Sequence, residues 1–314
     1  MPHTATSLGS KVVRVLKAAA IIVAALLLLY SFAFAVVGTV VVVRVARVVL
    51  GPVKAVRALQ TSNPLTAGLM QECADSGGSA DAVPWPHRFV PLDSISPHLV
   101  RAVVAAEDDA FYTHPGFDVT AILAAAEINR ARNRISHGGS TITQQVAKNL
   151  FLTGRREYQR KYMELLYAVL LETYLSKDRI LELYLNYAQW GPCLFGAEAA
   201  AQAYFGKPAA KLSLFESARM AATLAMPAKL NPRTSHTAFM GKRLYTIAFN
   251  LYYRHLIDDT TFTALCGAEP PRLGQDSSMA NGSAPAAAEG AFDSTDDRSE
   301  RRNSHRAERG DRGE

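Results

Sequence analysis

The sequence is poor in cysteine. It has three in 314 residues, Cys73, Cys193 and Cys266, and none stands in C-x-x-C or any other metal spacing. That excludes a disulfide framework and a zinc module. One pair can still bridge in an oxidising compartment, and the sequence does not say which. There is no internal repeat and no alternating apolar–polar run of any length, which excludes a solenoid, a sandwich or a barrel and leaves a mainly α domain. Charge is missing altogether between Ala18 and Val43. Apolar residues are scarce from about Gly267 onward, so 267–314 is expected to be a disordered polar tail. Excess acid is lacking too: the net charge is +6, and a basic body favours anionic partners.

What is present begins with a short basic segment, 1–17, carrying Lys11, Arg14 and Lys17. The uncharged run 18–43 is long enough to cross a hydrocarbon core of about 30 Å and too long for the core of a cleaved signal peptide, so it reads as an anchor. Arg44, Arg47, Lys54 and Arg57 follow closely, and with bases on both sides the positive-inside rule does not orient it. Residues 44–84 read as a juxtamembrane helix and linker, and 85–260 as the folded domain, entered through the extended stretch 85–93. A final amphipathic helix is expected at about 237–257.

That domain is organised around Glu107-Asp108-Asp109. Ser96 and Pro97 open a helix as N-cap and first helical residue, and it runs out on these three acids. Carboxylates at a helix C-terminus oppose the macrodipole, and a broken local rule points to function. After Asp118, a helix is expected through about Asn133. Thr141 and Gln144 then fit a capping box at the head of another, where Ser140, Thr143, Gln145 and free backbone N–H groups suit an anion. Between Arg130 and Lys161 there are eight Lys or Arg and one acid, Glu157. Glu164 is expected to start a long helix, with Arg160 and Lys161 at i−4 and i−3. A surface ion pair there is worth only a few tenths of a kcal/mol; a partly buried carboxylate held among cations would be functional. Ser213 and Glu216 form a second capping box.

Four ordered motifs now stand together. They are E-D-x-x-F-x-x-H-x-G (Glu107 to Gly116), G-G-S-T-I-T-Q-Q-x-x-K-N-L (Gly138 to Leu150), R-K-x-x-E (Arg160, Lys161, Glu164) and I-L-E-x-Y-L-N (Ile180 to Asn186). Over roughly residues 85–235 the chain resembles the family 51 glycosyltransferases, the peptidoglycan glycosyltransferases. The resemblance implies a lysozyme-like helical glycosyltransferase domain with a smaller membrane-proximal lobe, preceded by one transmembrane helix. No S-x-x-K nucleophile motif occurs, so the chain looks like a monofunctional member without a transpeptidase.

The resemblance implies that lipid II is polymerised into β-1,4 glycan with inversion and loss of undecaprenyl diphosphate. Glu107 would be the general base. Glu164 would orient the cations or the leaving group. Lys148, Arg156, Arg160 and Lys161 would clamp the diphosphate, and Ser140, Thr141, Gln144 and Gln145 would hold sugar or phosphate oxygens. Asp108, Phe111, His114 and Asn149 complete the expected substrate-binding set. No cofactor is required and no metal site is expected, a divalent cation such as Mg2+ at Glu164 being the one metal left open. The expected partners are lipid II, the growing glycan strand, the membrane and cell-wall synthesis or division proteins, with no nucleic acid. The expected location is the bacterial cytoplasmic (inner) membrane, single-pass, with the catalytic domain on the outer face. Two rivals remain. A lysozyme-like lytic glycosidase would not need the basic cluster, and a non-enzymatic anchored cell-wall partner would not need two carboxylates among those cations.

Overall fold

The computed structural model describes residues 5–75, 86–131, 139–152 and 157–271. The chain divides into two units, Met1–Arg57 and Ala58–Glu314. The first is built on α1 (Ala5–Ala58), an unbroken helix that contains the whole uncharged run and carries Pro52 inside it. Over 18–43 it is about 39 Å long at 1.5 Å per residue. Two of its hydroxyls bond back to the helix: Ser31 Oγ donates to Leu27 O (2.9 Å) and Thr39 Oγ1 to Ala35 O (2.8 Å). A hydroxyl tied to its own helix's carbonyl is not left as an unpaired donor in an apolar surround. By length and composition this helix is able to cross a membrane.

The second unit is helical, with α2 (Gly68–Asp75), α3 (Pro97–Glu107), α4 (Val119–Ala131), α5 (Ile142–Phe151), α6 (Glu157–Tyr174), α7 (Lys177–Tyr187), α8 (Ala197–Phe205), α9 (Leu214–Thr223), α10 (Ala238–Tyr253) and α11 (Asp259–Cys266). Strands β1 (Gln189–Gly191) and β2 (Leu194–Phe195) form one small antiparallel hairpin. Two helix groups make the core. In one, α3 packs on α9 and α10, and α10 on α11; in the other, α5 packs on α6, α7 and α2. Small residues allow the first close approach: Ala102 and Ala105 on α3, with Ala218, Ala221 and Ala222 on α9, are all buried.

The capping chemistry appears where the residues require it. Ser96 Oγ accepts from His98 N, and both capping boxes, Thr141/Gln144 and Ser213/Glu216, are closed. Four expectations change. Helix α6 begins at Glu157, seven residues before Glu164, because the polar turn Arg160-Lys161 is made of good helix formers. The linker is not all loop, since α2 lies within it and packs on α5. The last helix ends at Tyr253, and α11 follows, capped by Asp258 and closed by Gly267 in the left-handed conformation. The helical region therefore extends past residue 260. The expected end of α4 at Asn133 and nearly all of the tail lie outside the described residues.

Cys73 and Cys193 are joined as a disulfide (Cα–Cα 5.9 Å), and Cys266 is free. The lead-in to α3 is held by Asn186 on α7. Its Nδ2 donates to Val90 O (2.9 Å), and its Oδ1 accepts from Val90 N (2.8 Å). His87 stacks on Tyr187 beside it, and burial lowers the His87 pKa.

Candidate active site

The last turn of α3 puts Glu107 where the two helix groups meet. One carboxylate oxygen pairs with Arg243 of α10. The other accepts from Gln145 Nε2 of α5 (2.9 Å). Tyr184 of α7 donates its hydroxyl to Gln145 Oε1 (3.2 Å), which fixes the amide so that its NH2 faces Glu107. Burial and the Glu107 charge raise the Tyr184 pKa well above the usual phenol range, so it remains a donor. The Glu107 side chain is 11% exposed, enough to be reached without being solvated on all sides.

The three acids at this C-terminus are each compensated. Glu107 has Arg243. Asp109 has Arg254, which grips both its carboxylate (2.6 Å) and its carbonyl. Asp108 turns away to the start of α5, where it accepts from Ile142 N (2.9 Å) at the favourable end of that helix dipole. It also accepts from His114 Nε2 (2.8 Å). Gly116 N donates to His114 Nδ1 (3.1 Å), so the ring proton sits on Nε2 and points at Asp108. Burial pushes the Asp108 carboxyl up, against the opposing pull of Ile142 N–H, His114 and Lys177.

Gly116 must be glycine. Its φ is +92°, and an added Cβ would sit 2.6 Å from Glu172 Cγ. Its carbonyl accepts from Thr141 Oγ1 (2.7 Å), which ties the turn to the head of α5. Beneath it Lys177 Nζ donates to His114 O (2.7 Å) and Glu172 Oε1 (2.8 Å), while Thr143 Oγ1 donates to the same oxygen (2.6 Å). Lys177 also lies over the buried Phe111 ring, 4.6 Å from its centroid.

The expected site residues therefore fall into two sets. Asp108, Phe111, His114, Thr141 and Gln144 have their polar atoms or rings engaged inside the protein, building the turn and the capping box. Ser140, Lys148 and Lys161 are exposed, and Gln145 and Arg160 partly so. Asn149 and Glu164 are buried, and Glu164 accepts from Lys161 Nζ (2.7 Å). Arg156 lies outside the described residues. Among the described residues no group of three or more His, Cys, Asp or Glu is placed to hold a metal, and Glu164 has a lysine as its cation.

Sequence reasoning missed Arg243, Arg254, Glu172 and Lys177, and gave Tyr184 no role. Arg243 lies 136 residues from Glu107, and nothing local marks it. Tyr184 was inside a motif already quoted, and its place two residues before Asn186 was the available signal.

A family model described as Transglycosylase matches residues 82–250. The chain is 51% identical over 167 residues to a biosynthetic peptidoglycan transglycosylase of Burkholderia thailandensis, covering 53% of this chain and 65% of that protein. Proteins of the same name from Ralstonia nicotianae (47% over 175 residues, 55% and 75% covered) and Burkholderia cenocepacia (48% over 162 residues, 52% and 66% covered) are similar in the same way. The match thus spans just under two thirds of the first and third of these relatives. With more than half of its residues inside the family match, this chain belongs to the transglycosylase family.

Proposed function

We propose that this chain is a peptidoglycan glycosyltransferase that joins lipid II units into β-1,4 glycan, inverting the donor's anomeric carbon and releasing undecaprenyl diphosphate. The observation that carries the reading is Glu107, a carboxylate held at both oxygens by Arg243 and Gln145 beside the helix that bears Lys148. Fixed in this way, Glu107 takes the proton of the acceptor 4-hydroxyl as that oxygen attacks the donor's C1. General-base help of this kind contributes about 10²–10⁴-fold.

The departing diphosphate gains charge as the bond breaks. Lys148, Arg160 and Lys161 offer preorganised positive charge for it, with Arg156 as a further candidate. Glu164 orients Lys161 and so acts on the clamp rather than on the sugar. Ser140 and the free backbone N–H groups before α5 are suited to sugar or phosphate oxygens.

The reading places α1 in the bacterial inner membrane and the second unit on its outer face, where the lipid-linked substrate is presented. The Cys73–Cys193 disulfide supports that side, because disulfides persist in oxidising compartments. The test is polymerisation of labelled lipid II by the full chain in detergent. Long glycan is expected from the native chain, with a loss of about 10²–10⁴-fold in Glu107→Gln. Native turnover in that variant would remove Glu107 from the chemistry.

A further inference from the structure

Residues 58–75 do more than connect the two units. Up to Pro64 the segment is held by backbone recognition. Gln60 Nε2 donates to Tyr174 O (2.9 Å), Arg179 donates to Leu59 O (2.9 Å) and Ser62 O (3.0 Å), and Tyr187 Oη donates to Pro64 O (2.5 Å). Beyond Pro64 the character changes. Helix α2 has eight residues and none of them is fully buried. Helices shorter than about 12–15 residues are marginal in water on their own. Two of its side-chain bonds are local, Ala67 N to Met70 Sδ and Gln71 Nε2 to Asp75 Oδ1. What crosses from α2 to the body covalently is Cys73–Cys193, a link over 120 residues of chain that fastens it to the turn of the β1–β2 hairpin. Docked there, α2 packs on α5, the helix that carries Gln145 and Lys148.

We propose that α2 is a brace locked by thiol oxidation: closing the Cys73–Cys193 disulfide holds it on the flank of α5 and keeps that helix in its substrate-ready position. The closing step is thiol–disulfide exchange with the disulfide of a partner oxidoreductase. One cysteine thiolate attacks a partner sulfur and forms a mixed disulfide. The second thiolate attacks this chain's sulfur in that mixed disulfide and releases the partner as a dithiol. The two thiol protons and two electrons pass to the partner, so one disulfide is consumed and one formed. The reverse exchange opens the brace. Its effect on catalysis rests on the reading of α5 as the substrate helix; its effect on α5 itself does not.

The test uses the full chain in detergent, with Cys266→Ala to leave a single pair, before and after treatment with a phosphine reductant. Thiol alkylation read by mass spectrometry is expected to label neither Cys73 nor Cys193 before reduction and both after it. Amide exchange across α2 and α5 is expected to rise about tenfold on reduction. The KM for lipid II is expected to rise several-fold while kcat stays within about twofold. Cys73→Ser and Cys193→Ser each reproduce the reduced behaviour without reductant. Free thiols at both positions in protein from an oxidising compartment would overturn the brace, as would α5 exchange unchanged by reduction. Should no form polymerise lipid II, the proposed function fails, and the exchange data alone decide the brace.

Discussion

The acidic turn, 105–118, and the basic face of α5 and α6 are both charged, yet they are built in opposite ways. In the turn Glu107, Asp108 and Asp109 are each held by fixed partners: Arg243 for Glu107, Ile142 N and the turn's own His114 for Asp108, Arg254 for Asp109. On the basic face Lys148 is exposed, and Lys161 is 61% exposed even while it pairs with Glu164. A base must be aimed, and aiming needs fixed partners. A clamp for a diphosphate must meet an anion that arrives, and its cations gain by keeping their charge open until then. The turn should therefore respond to mutation through geometry and stability, and the face through affinity for the anion.

After Glu107 itself, the largest expected effect falls on Arg243. Arg243→Ala frees one oxygen of Glu107 and should lower kcat by about ten- to a hundredfold, with partial return in Arg243→Lys, since a partly buried charge loses an ionic hydrogen bond. Steady-state kinetics on lipid II would measure it, and unchanged kcat would show that Glu107 is aimed by Gln145 alone. Next in size is a paired test of the contrast. Gly116→Ala forces a left-handed φ on an L residue and drives its Cβ into Glu172, so it should cost about 1–3 kcal/mol in a denaturant midpoint experiment. Lys148→Ala should leave that midpoint within about 0.5 kcal/mol and instead raise KM for lipid II. If the two variants behaved alike, the distinction between turn and face would collapse.

The smallest effect is electrostatic. Burial raises the Asp108 pKa above the ordinary 3.8, so its protonated form is the one the fold favours. Its contribution to stability is therefore full below 3.8 and is lost as pH rises through the higher folded value. Carboxyl carbon chemical shifts followed through an acid titration should place the Asp108 midpoint above 3.8, and a midpoint at or below it would mean that His114 and Ile142 N outweigh burial.

Much of the local architecture was legible in the residues. Ser96, Thr141, Ser176 and Ser213 head helices because a hydroxyl beside free backbone N–H groups is a local matter, settled within three residues. The uncharged run is a helix because a chain without charge over that length has few other ways to satisfy its backbone in an apolar medium. The broken dipole rule at Glu107 was also readable. Less legible was what each motif residue does there. Asp108 and His114 sit in a motif that suggested substrate, yet their atoms meet each other, Ile142 N and Gly116 N.

Sequence by itself thus determined many of the helices, several of their caps, the uncharged segment and the family motifs, all of which follow from neighbours within about one helical turn or from a pattern along the chain. Tertiary structure alone decided which partners meet. Arg243 reaches Glu107 across 136 residues, Gln145 across 38, and Cys73 finds Cys193 rather than Cys266 across 120. Side chains that meet only when α3, α5, α7 and α10 pack leave no local trace, because their energies depend on distances that the folded core sets and the sequence does not display.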